Sequence, residues 1–281
     1  MSKFDPVIDV EDDGLIIPTV RRWSEEKYNV LGAYANIFTA SMRFKWNQLV
    51  YLDLFAGAGY SKIRSTNRIV KSSALIALSL PHKFTKYILC EENKEKFEAL
   101  STRVARDHPN ADVTLIHGDV NEKVWEVRRA MPRYGRGNTL LSFAFVDPFS
   151  LNLDFNTIKA LGSNLNIDFL ILLALGMDAN RNFKSYIQGN SEKVARFIDD
   201  QNWTEKTSSL TSSSDFMRFL SSAYDSNMIG LGYKEPETKQ IVRSHVKNLS
   251  LYHLAFYSKH DLGNQFWNEM RKHTDKQIPL F

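Results

Sequence analysis

The stretch from Leu49 to Ile63 constrains the fold of this chain more than any other. Leu49 to Phe55 is apolar except for Asp53, as is typical of a central strand that is covered on both faces. It leads into Gly57-Ala58-Gly59, where two glycines allow a sharp turn and a close backbone approach to a ligand. In open α/β sheets, such turns lie at the carboxyl ends of the strands, where nucleotides bind. The stretch therefore predicts the floor of a nucleotide-type pocket.

The glycine turn also narrows the class of ligand. The dinucleotide fingerprint needs a third glycine where Lys62 stands, and no Gly-Lys-Ser/Thr follows, so a P-loop is excluded. An acidic residue, an aromatic and then Gly-x-Gly instead resembles the first motif of S-adenosylmethionine-dependent methyltransferases. That ligand has no phosphates, so it needs a close backbone approach but no full anion cradle. We therefore expect S-adenosyl-L-methionine as the cofactor, held by the following residues: Asp53, Phe55, Gly57 and Gly59.

Two further strand ends carry candidate cofactor contacts. Lys86 to Cys90 predicts the second strand, and Glu91 at its tip is placed to accept hydrogen bonds from both ribose hydroxyls. The alternative is a surface carboxylate that caps the next helix. Asp112 to Ile116 predicts the third strand. After it, Asp119 can accept from the adenine amino group while Val120 lies against the ring, although a plain helix cap is the alternative for Asp119.

The fourth predicted strand, Leu140 to Val146, runs into Asp147-Pro148-Phe149. Enzymes that methylate exocyclic amines carry an acidic or amide residue, a proline and an aromatic at this strand end. The side-chain oxygen and a main-chain carbonyl accept hydrogen bonds from the amine, and the aromatic stacks on the base, a contact worth roughly 1–3 kcal/mol. We therefore predict that these three residues are catalytic. The alternative is a turn-forming Asp-Pro followed by a core Phe.

Residues 1–45 predict a leader and a covering helix. Residues 1–20 read as a loose, partly acidic leader, and Trp23 to Phe38 has its apolar residues at helical spacing. Lys27, set among aromatics of that helix, could meet the carboxylate of the ligand, and we count it with the catalytic residues. The alternative is a surface lysine whose stem lies along apolar neighbours.

The second half of the chain predicts a helical insertion and a closing hairpin. Ile167 to Ala174 reads as a fifth buried strand. Roughly sixty residues, 176–237, follow before strand patterning returns, which is more than a crossover connection needs. They contain two helical patterns, Phe183 to Ile198 and Asp215 to Tyr224, and we expect them to form helices over the target site. Lys239 to Val246 and Leu251 to Ser258 then predict a hairpin that completes the sheet.

Composition limits the remaining possibilities. The 281 residues can form one large α/β domain. The single cysteine, Cys90, excludes an intramolecular disulfide and a cysteine-based zinc site, and we expect no metal. The net charge of +4 permits an anionic partner. There is no signal peptide and no apolar run near the ~20 residues of a membrane helix, so we expect a cytoplasmic protein without a membrane partner.

Taken together, the motifs resemble the three-Cys-motif partner family. The matching segments are, in chain order, W-S-E-E-K-Y-N-V-L from Trp23, Y-L-D-L-F-A-G-A-G from Tyr51, I-R-S-T-N-R-I-V-K-S-S-A-L-I-A-L from Ile63, V-D-P-F from Val146, G-M-D-A-N-R-N from Gly176, L-G-Y from Leu231 and Y-S-K-H from Tyr257, before a final helix with Phe266-Trp267. The family usually has proline where Ala58 stands and often glycine where Ser150 stands, both mild departures. The resemblance implies a class I methyltransferase fold, S-adenosyl-L-methionine and a partner protein that bears three cysteines. It implies no particular substrate.

The sequence thus predicts one α/β domain over residues 1–281, with the Rossmann-like fold of class I methyltransferases. Its seven-stranded sheet would be mostly parallel with an antiparallel last strand, with helices on both faces and an insertion after the fifth strand. The preferred function is methyl transfer to an exocyclic amine of a nucleic-acid base. One alternative is methylation of a ribose hydroxyl by Lys27, Asp147 and Lys259, where a lysine of lowered pKa takes the proton. Another is a catalytically silent subunit that serves the three-cysteine partner.

The carboxyl-terminal residues suggest a further partner. Gln277, Leu280 and Phe281 resemble the short peptides that dock into the apolar groove of the bacterial sliding clamp. Leu280 and Phe281 would anchor in a pocket while Gln277 hydrogen-bonds at its rim. The alternative is that Leu280 and Phe281 fold back onto the sheet as a plug.

Overall fold

The computed structural model describes residues 5–236, 239–243 and 250–274. The strands are β1 (Thr19–Val20), β2 (Gln48–Asp53), β3 (Tyr60–Ile63), β4 (Ile69–Lys71), β5 (Lys86–Glu91), β6 (Val113–His117), β7 (Leu140–Val146), β8 (Ile167–Leu173), β9 (Gln240–Arg243) and β10 (Ser250–Tyr257). The α-helices are α1 (Trp23–Met42), α2 (Ser73–Ser79), α3 (Lys94–Asp107), α4 (Val120–Ala130), α5 (Phe155–Gly162), α6 (Asn180–Gly189), α7 (Glu192–Ile198), α8 (Trp203–Thr207), α9 (Ser213–Gly230) and α10 (Asp261–Thr274). A π-helix, Leu175–Ala179, lies between β8 and α6. Gln277, Leu280 and Phe281, the predicted docking peptide, lie outside the described residues.

The main sheet has seven strands in the order β6-β5-β2-β7-β8-β10-β9. The first five are parallel to one another, and β10 is antiparallel to both β8 and β9. β2 lies between β5 and β7, so successive strands are added first to one side of it and then to the other. Such a switch in strand order opens a crevice at the carboxyl ends of the central strands. The predicted α/β fold of the Rossmann-like type is confirmed.

Hydrophobic packing covers both faces of this sheet. The seven residues of β7 are all buried, and they alternate between the two sides as the strand period requires. Ala144 and Val146 pack with residues of α4, α5, α7 and α9. Phe143 and Phe145 pack with residues of α1, α2, α3 and α10. Burial on both faces explains why the central strands appear in the sequence as apolar runs rather than alternating patterns.

Residues 5–20 do not form the loose leader that the sequence suggested. The Asp13 carboxylate lies 2.5 Å from the guanidinium of Arg103, whose side chain is 0% exposed. Arg103 also donates to the main-chain oxygens of Ala58 at 2.6 Å and Ile16 at 3.1 Å. Burial of a guanidinium requires such partners, so the leader is held against the back of the glycine turn. The prediction was wrong because this ion pair joins residues 90 positions apart.

The small sheet and the helix boundaries also differ from the sequence-based expectations. β3 and β4, which follow the glycine turn, form a separate three-stranded sheet with β1 from the amino-terminal segment. The helix predicted over Phe183 to Ile198 is interrupted at Asn190, which adopts a left-handed conformation with a φ of 44°. The chain therefore forms α6 and α7 in place of one helix. No helix in the described residues is long and apolar enough to span a membrane.

Candidate cofactor and target site

The glycine turn after β2 has the backbone conformation that its sequence predicts. Gly57 and Gly59 have φ angles of +66° and +90°, a region that side chains disfavour. A Cβ on Gly59 would lie 3.0 Å from Leu75 Cδ1, so this glycine is also needed for packing. A Cβ on Gly57 would meet nothing within 4 Å. The turn therefore leaves open space beside Gly57, where a ligand can approach the main chain.

Glu91 lies directly beside this turn. Its Oε2 accepts from the Gly57 N–H at 2.8 Å, and its Oε1 accepts from the Asn93 N–H at 2.8 Å. The helix cap proposed as the alternative for Glu91 is instead provided by Asn93, whose side chain accepts from the Lys96 N–H at 3.0 Å. The Glu91 carboxylate is thus held at the strand end, next to the turn. Its contact with a ribose stays a prediction.

The third strand end shows a cap and a core residue. Asp119 Oδ1 accepts from the Asn121 N–H at 2.9 Å and caps α4, which is the alternative given for this residue. Val120 is only 2% exposed and belongs to the core on the α4 side of the sheet. An adenine amino group would have to share the Asp119 carboxylate with the helix cap, and Val120 offers the ring little exposed surface. The predicted adenine contacts of both residues stay predictions.

Asp53 lies beneath the turn and is fully buried. Its Oδ2 accepts from the Tyr51 hydroxyl at 3.1 Å, and its Oδ1 accepts from the Phe55 N–H at 3.3 Å. Burial raises the pKa of Asp53 to about 7, while hydrogen bonds from Ser73, Tyr51 and the Phe55 N–H act to lower it. The carboxylate therefore orders the start of the turn from below. Phe55 follows Asp53 by two residues, and its ring is half-buried. The cofactor contacts of both residues stay predictions.

Lys27 and Asp147 form an ion pair across 120 residues of sequence. Lys27 Nζ lies 2.5 Å from Asp147 Oδ2, and the two side chains are 5% and 20% exposed. Lys27 Nζ also lies 4.7 Å from the centroid of the Trp23 ring, which packs on Tyr252 at 4.8 Å. The structure thus brings two predicted catalytic residues together and excludes a surface position for Lys27.

The target motif ends in an exposed aromatic ring. Pro148 is buried, whereas Phe149 is 81% exposed at the carboxyl end of β7. The alternative of a core Phe is therefore wrong. The exposed ring beside Asp147 offers an apolar face on which a flat partner could stack.

Asp178, which sequence reasoning did not single out, holds the chain that follows this motif. It is 4% exposed, and it accepts hydrogen bonds from four donors. These are the Leu151 N–H at 2.8 Å, Asn182 Nδ2 at 2.6 Å, the Tyr186 hydroxyl at 2.5 Å and Lys193 Nζ at 2.9 Å. Burial raises the pKa of Asp178, but these hydrogen bonds outweigh it and hold the pKa at about 2. The π-helix after β8 thereby anchors the target motif to α6 and α7.

Basic side chains lie near the same edge. Burial raises the pKa of Tyr252 and Asp147 raises it further, whereas Arg21 and Arg181 lower it. Both arginines are exposed and lie close enough to Tyr252 to lower its pKa. In the described residues, no group of three or more His, Cys, Asp or Glu side chains could hold a metal ion.

Lys259 lies at the opposite edge of the sheet. Because β10 is antiparallel to β8, the residues after β10 lie next to the start of β8. Lys259 Nζ donates to the main-chain oxygens of Gly162 at 2.7 Å and Leu165 at 3.2 Å, both of which precede β8. The predicted grouping of Lys259 with Lys27 and Asp147 is therefore wrong.

Comparisons with known proteins add the following. No family model matches the sequence, and no curated protein matches it. Trm1 from Pyrococcus horikoshii with S-adenosyl-L-methionine is similar at 11% identity, over 94% of this chain and 64% of that chain, with a TM-score of 0.44. The putative methyltransferase yhhF from Escherichia coli is similar at 13% identity, over 87% of this chain and 91% of that chain, with a TM-score of 0.41. The O-methyltransferase TomG from Streptomyces achromogenes in complex with SAM is similar at 12% identity, over 80% of this chain and 79% of that chain, with a TM-score of 0.40. Likenesses this distant carry no argument about activity, and the fold assignment stands on the strand order.

Proposed function

We propose that the protein is an S-adenosyl-L-methionine-dependent methyltransferase that acts on an exocyclic amine of a nucleic-acid base. The observation that carries the proposal is the position of Phe149, 81% exposed beside Asp147 at the end of β7. β7 is hydrogen-bonded to β2, the strand that leads into the glycine turn. A base stacked on Phe149 would therefore lie next to a ligand bound at that turn.

The residues at the turn fit the cofactor. The open space beside Gly57 admits a close ligand, and Glu91 offers a carboxylate at the position where ribose hydroxyls would reach it. When bound there, S-adenosyl-L-methionine supplies a methyl group that its sulfonium already activates. The protein then needs to supply position and exclusion of water, which together can account for several kcal/mol of the barrier.

Asp147 and Lys27 would share the work at the acceptor. Lys27 Nζ contacts Oδ2 of Asp147, which leaves Oδ1 to accept a hydrogen bond from the amine. That bond and one to a main-chain carbonyl turn the nitrogen lone pair toward the methyl group. The N–C bond would form as the bond between the methyl carbon and the cofactor sulfur breaks, with its electron pair left on sulfur, and the nitrogen would lose a proton to Asp147 or to water. A base in a duplex would first have to leave the stack, at a cost of a few kcal/mol.

The resemblance to the three-Cys-motif partner family supports a partner protein that bears three cysteines. It also keeps open the alternative that the chain is a silent subunit of such a complex. The ribose alternative has weaker support, because Lys259 binds main-chain oxygens at the other edge of the sheet.

The proposal is tested by mass spectrometry of nucleosides after incubation of RNA or DNA with the protein and methyl-labelled cofactor. We expect label on a base amine, its loss in Asp147→Ala, and unchanged cofactor affinity in that variant. Phe149→Ala should weaken target binding by roughly 1–3 kcal/mol, or about 5- to 150-fold. Ile229→Ala removes a side chain that is 45% exposed on α9 and serves as the control. Label on the ribose would contradict the proposal.

A further inference from the structure

Two loops meet at the amino-terminal edge of the sheet, opposite the candidate site. Residues 43–47 connect α1 to β2, and residues 131–139 connect α4 to β7. The loops are joined by Asn47 and Thr139: the Thr139 N–H donates to Asn47 Oδ1 at 3.0 Å, and the Asn47 N–H donates to Thr139 Oγ1 at 3.1 Å. We call this surface, with the last turn of α4, the basic edge. Its exposed charged and aromatic members are Arg43, Phe44, Lys45, Arg129, Arg133, Tyr134 and Arg136.

The basic edge concentrates positive charge. It has five cations, which exceeds the net charge of +4 of the whole chain, so the remainder is close to neutral. No acidic residue occurs in residues 28–52 or 127–146, the segments that contain both loops. In the described residues, no carboxylate forms an ion pair with any of the five cations. Glu126, which precedes Arg129 by three residues on α4, is paired with Lys123 at 3.1 Å, and Asp112, which precedes β6, is paired with Lys86 at 2.9 Å. Anions in solution therefore meet these side chains without a competing carboxylate.

Two aromatic rings stand among these cations. Phe44 is 84% exposed and Tyr134 is 64% exposed. The guanidinium of Arg43 lies 4.5 Å from the centroid of the Phe44 ring. Large aromatic rings in water and adjacent arginines are the two components of surfaces that bind single-stranded nucleic acids, where bases stack on the rings and phosphates meet the cations.

The loop that presents Tyr134 is ordered by its own hydrogen bonds. The Gly135 N–H donates to the Asn138 main-chain oxygen at 3.2 Å, and the Asn138 N–H donates to the Gly135 oxygen at 3.0 Å. Asn138 Nδ2 also donates to the Arg133 oxygen at 2.7 Å. A ring held on such a turn loses little conformational entropy when it binds a base, which favours binding.

We propose that the basic edge binds a single-stranded segment of nucleic acid, with phosphates on its arginines and bases stacked on Phe44 and Tyr134. The seven residues of β7 separate this edge from Asp147 by about 23 Å at 3.3 Å per residue. A nucleic acid whose target base stacks on Phe149 would thus also be bound at the basic edge, a second surface of the protein. The inference rests on the proposed class of substrate, but it requires no transfer of a methyl group.

The test is the salt dependence of binding to fluorescent oligothymidine and oligouridine of about 20 nucleotides, which exceeds the roughly 4–16 nucleotides that one OB fold covers. Fluorescence anisotropy is measured with the full chain and without cofactor, so a chain that is inactive as a methyltransferase still gives a result. The triple variant Arg129→Gln/Arg133→Gln/Arg136→Gln should reduce the slope of log K against log salt by about 2, at 0.7 per phosphate contact. Phe44→Ala/Tyr134→Ala should weaken binding by at least about 5-fold with little change in slope.

A matched control removes the same charge elsewhere. Lys94, Lys206 and Arg218 are exposed cations that pair with Glu98, Asp200 and Asp215, respectively. Their triple glutamine variant should leave the slope unchanged. Equal losses in both triple variants would overturn the proposal in favour of a general charge effect. Failure of the wild-type protein to bind either oligonucleotide would overturn the proposal, and binding to polyglutamate in that case would favour an acidic protein partner.

Discussion

Replacing Asp178 by asparagine tests whether the π-helix holds the target motif in place. Asparagine has nearly the same shape as aspartate, but it replaces one of the two acceptor oxygens by an NH2 group. With that group in place of Oδ1, Asn182 and the Tyr186 hydroxyl lose their acceptor. With it in place of Oδ2, the buried Leu151 N–H loses its partner, whereas Lys193 is 30% exposed and can turn to water. We therefore expect Asp178→Asn to destabilise the fold and to loosen the chain after Phe149.

The size of the effect follows from two contributions. The pKa of Asp178 falls from 3.8 to about 2. At 1.36 kcal/mol per unit, this corresponds to a stabilisation of roughly 2–3 kcal/mol by the charged form. An unsatisfied buried N–H alone costs about 1–3 kcal/mol, and the two overlap because both count the Leu151 bond. Asp178→Asn should thus lower the free energy of unfolding by roughly 2–4 kcal/mol at pH 7, or the melting temperature by about 4–16 °C.

The pH dependence has a definite sign. Because folding lowers the pKa of Asp178, its stabilisation is present above about pH 4 and is lost as the pH falls toward 2. Urea unfolding at several pH values should therefore show a gap between wild type and Asp178→Asn that is full at pH 7 and shrinks below pH 4. Asp154→Asn is the control, since that carboxylate is 26% exposed and contacts Arg196 at 3.2 Å. Its effect should stay below about 1 kcal/mol.

The same variant has a functional consequence. Asp178 touches neither the predicted cofactor turn nor the acceptor, so it acts as a positioning residue through Leu151. Asp178→Asn should lower the rate of methyl transfer and leave the affinity for the cofactor unchanged. A variant with wild-type stability and wild-type transfer rate would refute the reasoning.

Two further predictions concern the buried charges of the site. Asp147→Asn leaves Lys27 buried without its partner and should cost roughly 3–5 kcal/mol of stability in urea unfolding. Adding Lys27→Met should restore at least about half of that loss, and a double variant less stable than Asp147→Asn would contradict the ion pair. Burial raises the pKa of Asp53 to about 7, so its ionisation opposes folding. The free energy of unfolding of the wild type, relative to that of Asp53→Asn, should therefore fall as the pH rises from about 4 to 7 and then level off. A wild type that gains stability relative to Asp53→Asn over this pH range would contradict the prediction.

The sequence was sufficient to predict the elements that depend on local patterns. β7 begins and ends at the residues predicted for it, because a run that is buried on both faces is bounded clearly by polar residues. The positive φ angles of Gly57 and Gly59 follow equally from the Gly-x-Gly pattern. In both cases the physical cause lies within a few residues of the pattern that reports it.

Contacts between distant residues could not be predicted in this way. The Lys27–Asp147 pair depends on how α1 packs over the end of β7, and the Asp178 network depends on where the π-helix places its carboxylate; periodicity reports neither. Lys259 was a different kind of error. The predicted sheet already had an antiparallel last strand, and the residue that follows such a strand must lie at the amino-terminal edge, away from Asp147. The predicted topology was therefore enough to exclude Lys259 from the site.

The central claim is that the glycine turn and Glu91 bind S-adenosyl-L-methionine, and isothermal titration calorimetry tests it most directly. The wild-type protein should bind the cofactor and its demethylated product. Glu91→Ala should weaken both by on the order of 1.5–3 kcal/mol, the value of charge-assisted hydrogen bonds, whereas Glu92→Ala, which removes the exposed neighbouring carboxylate, should bind as the wild type does. No binding by the wild type at millimolar ligand, even with a three-cysteine partner present, would contradict the account.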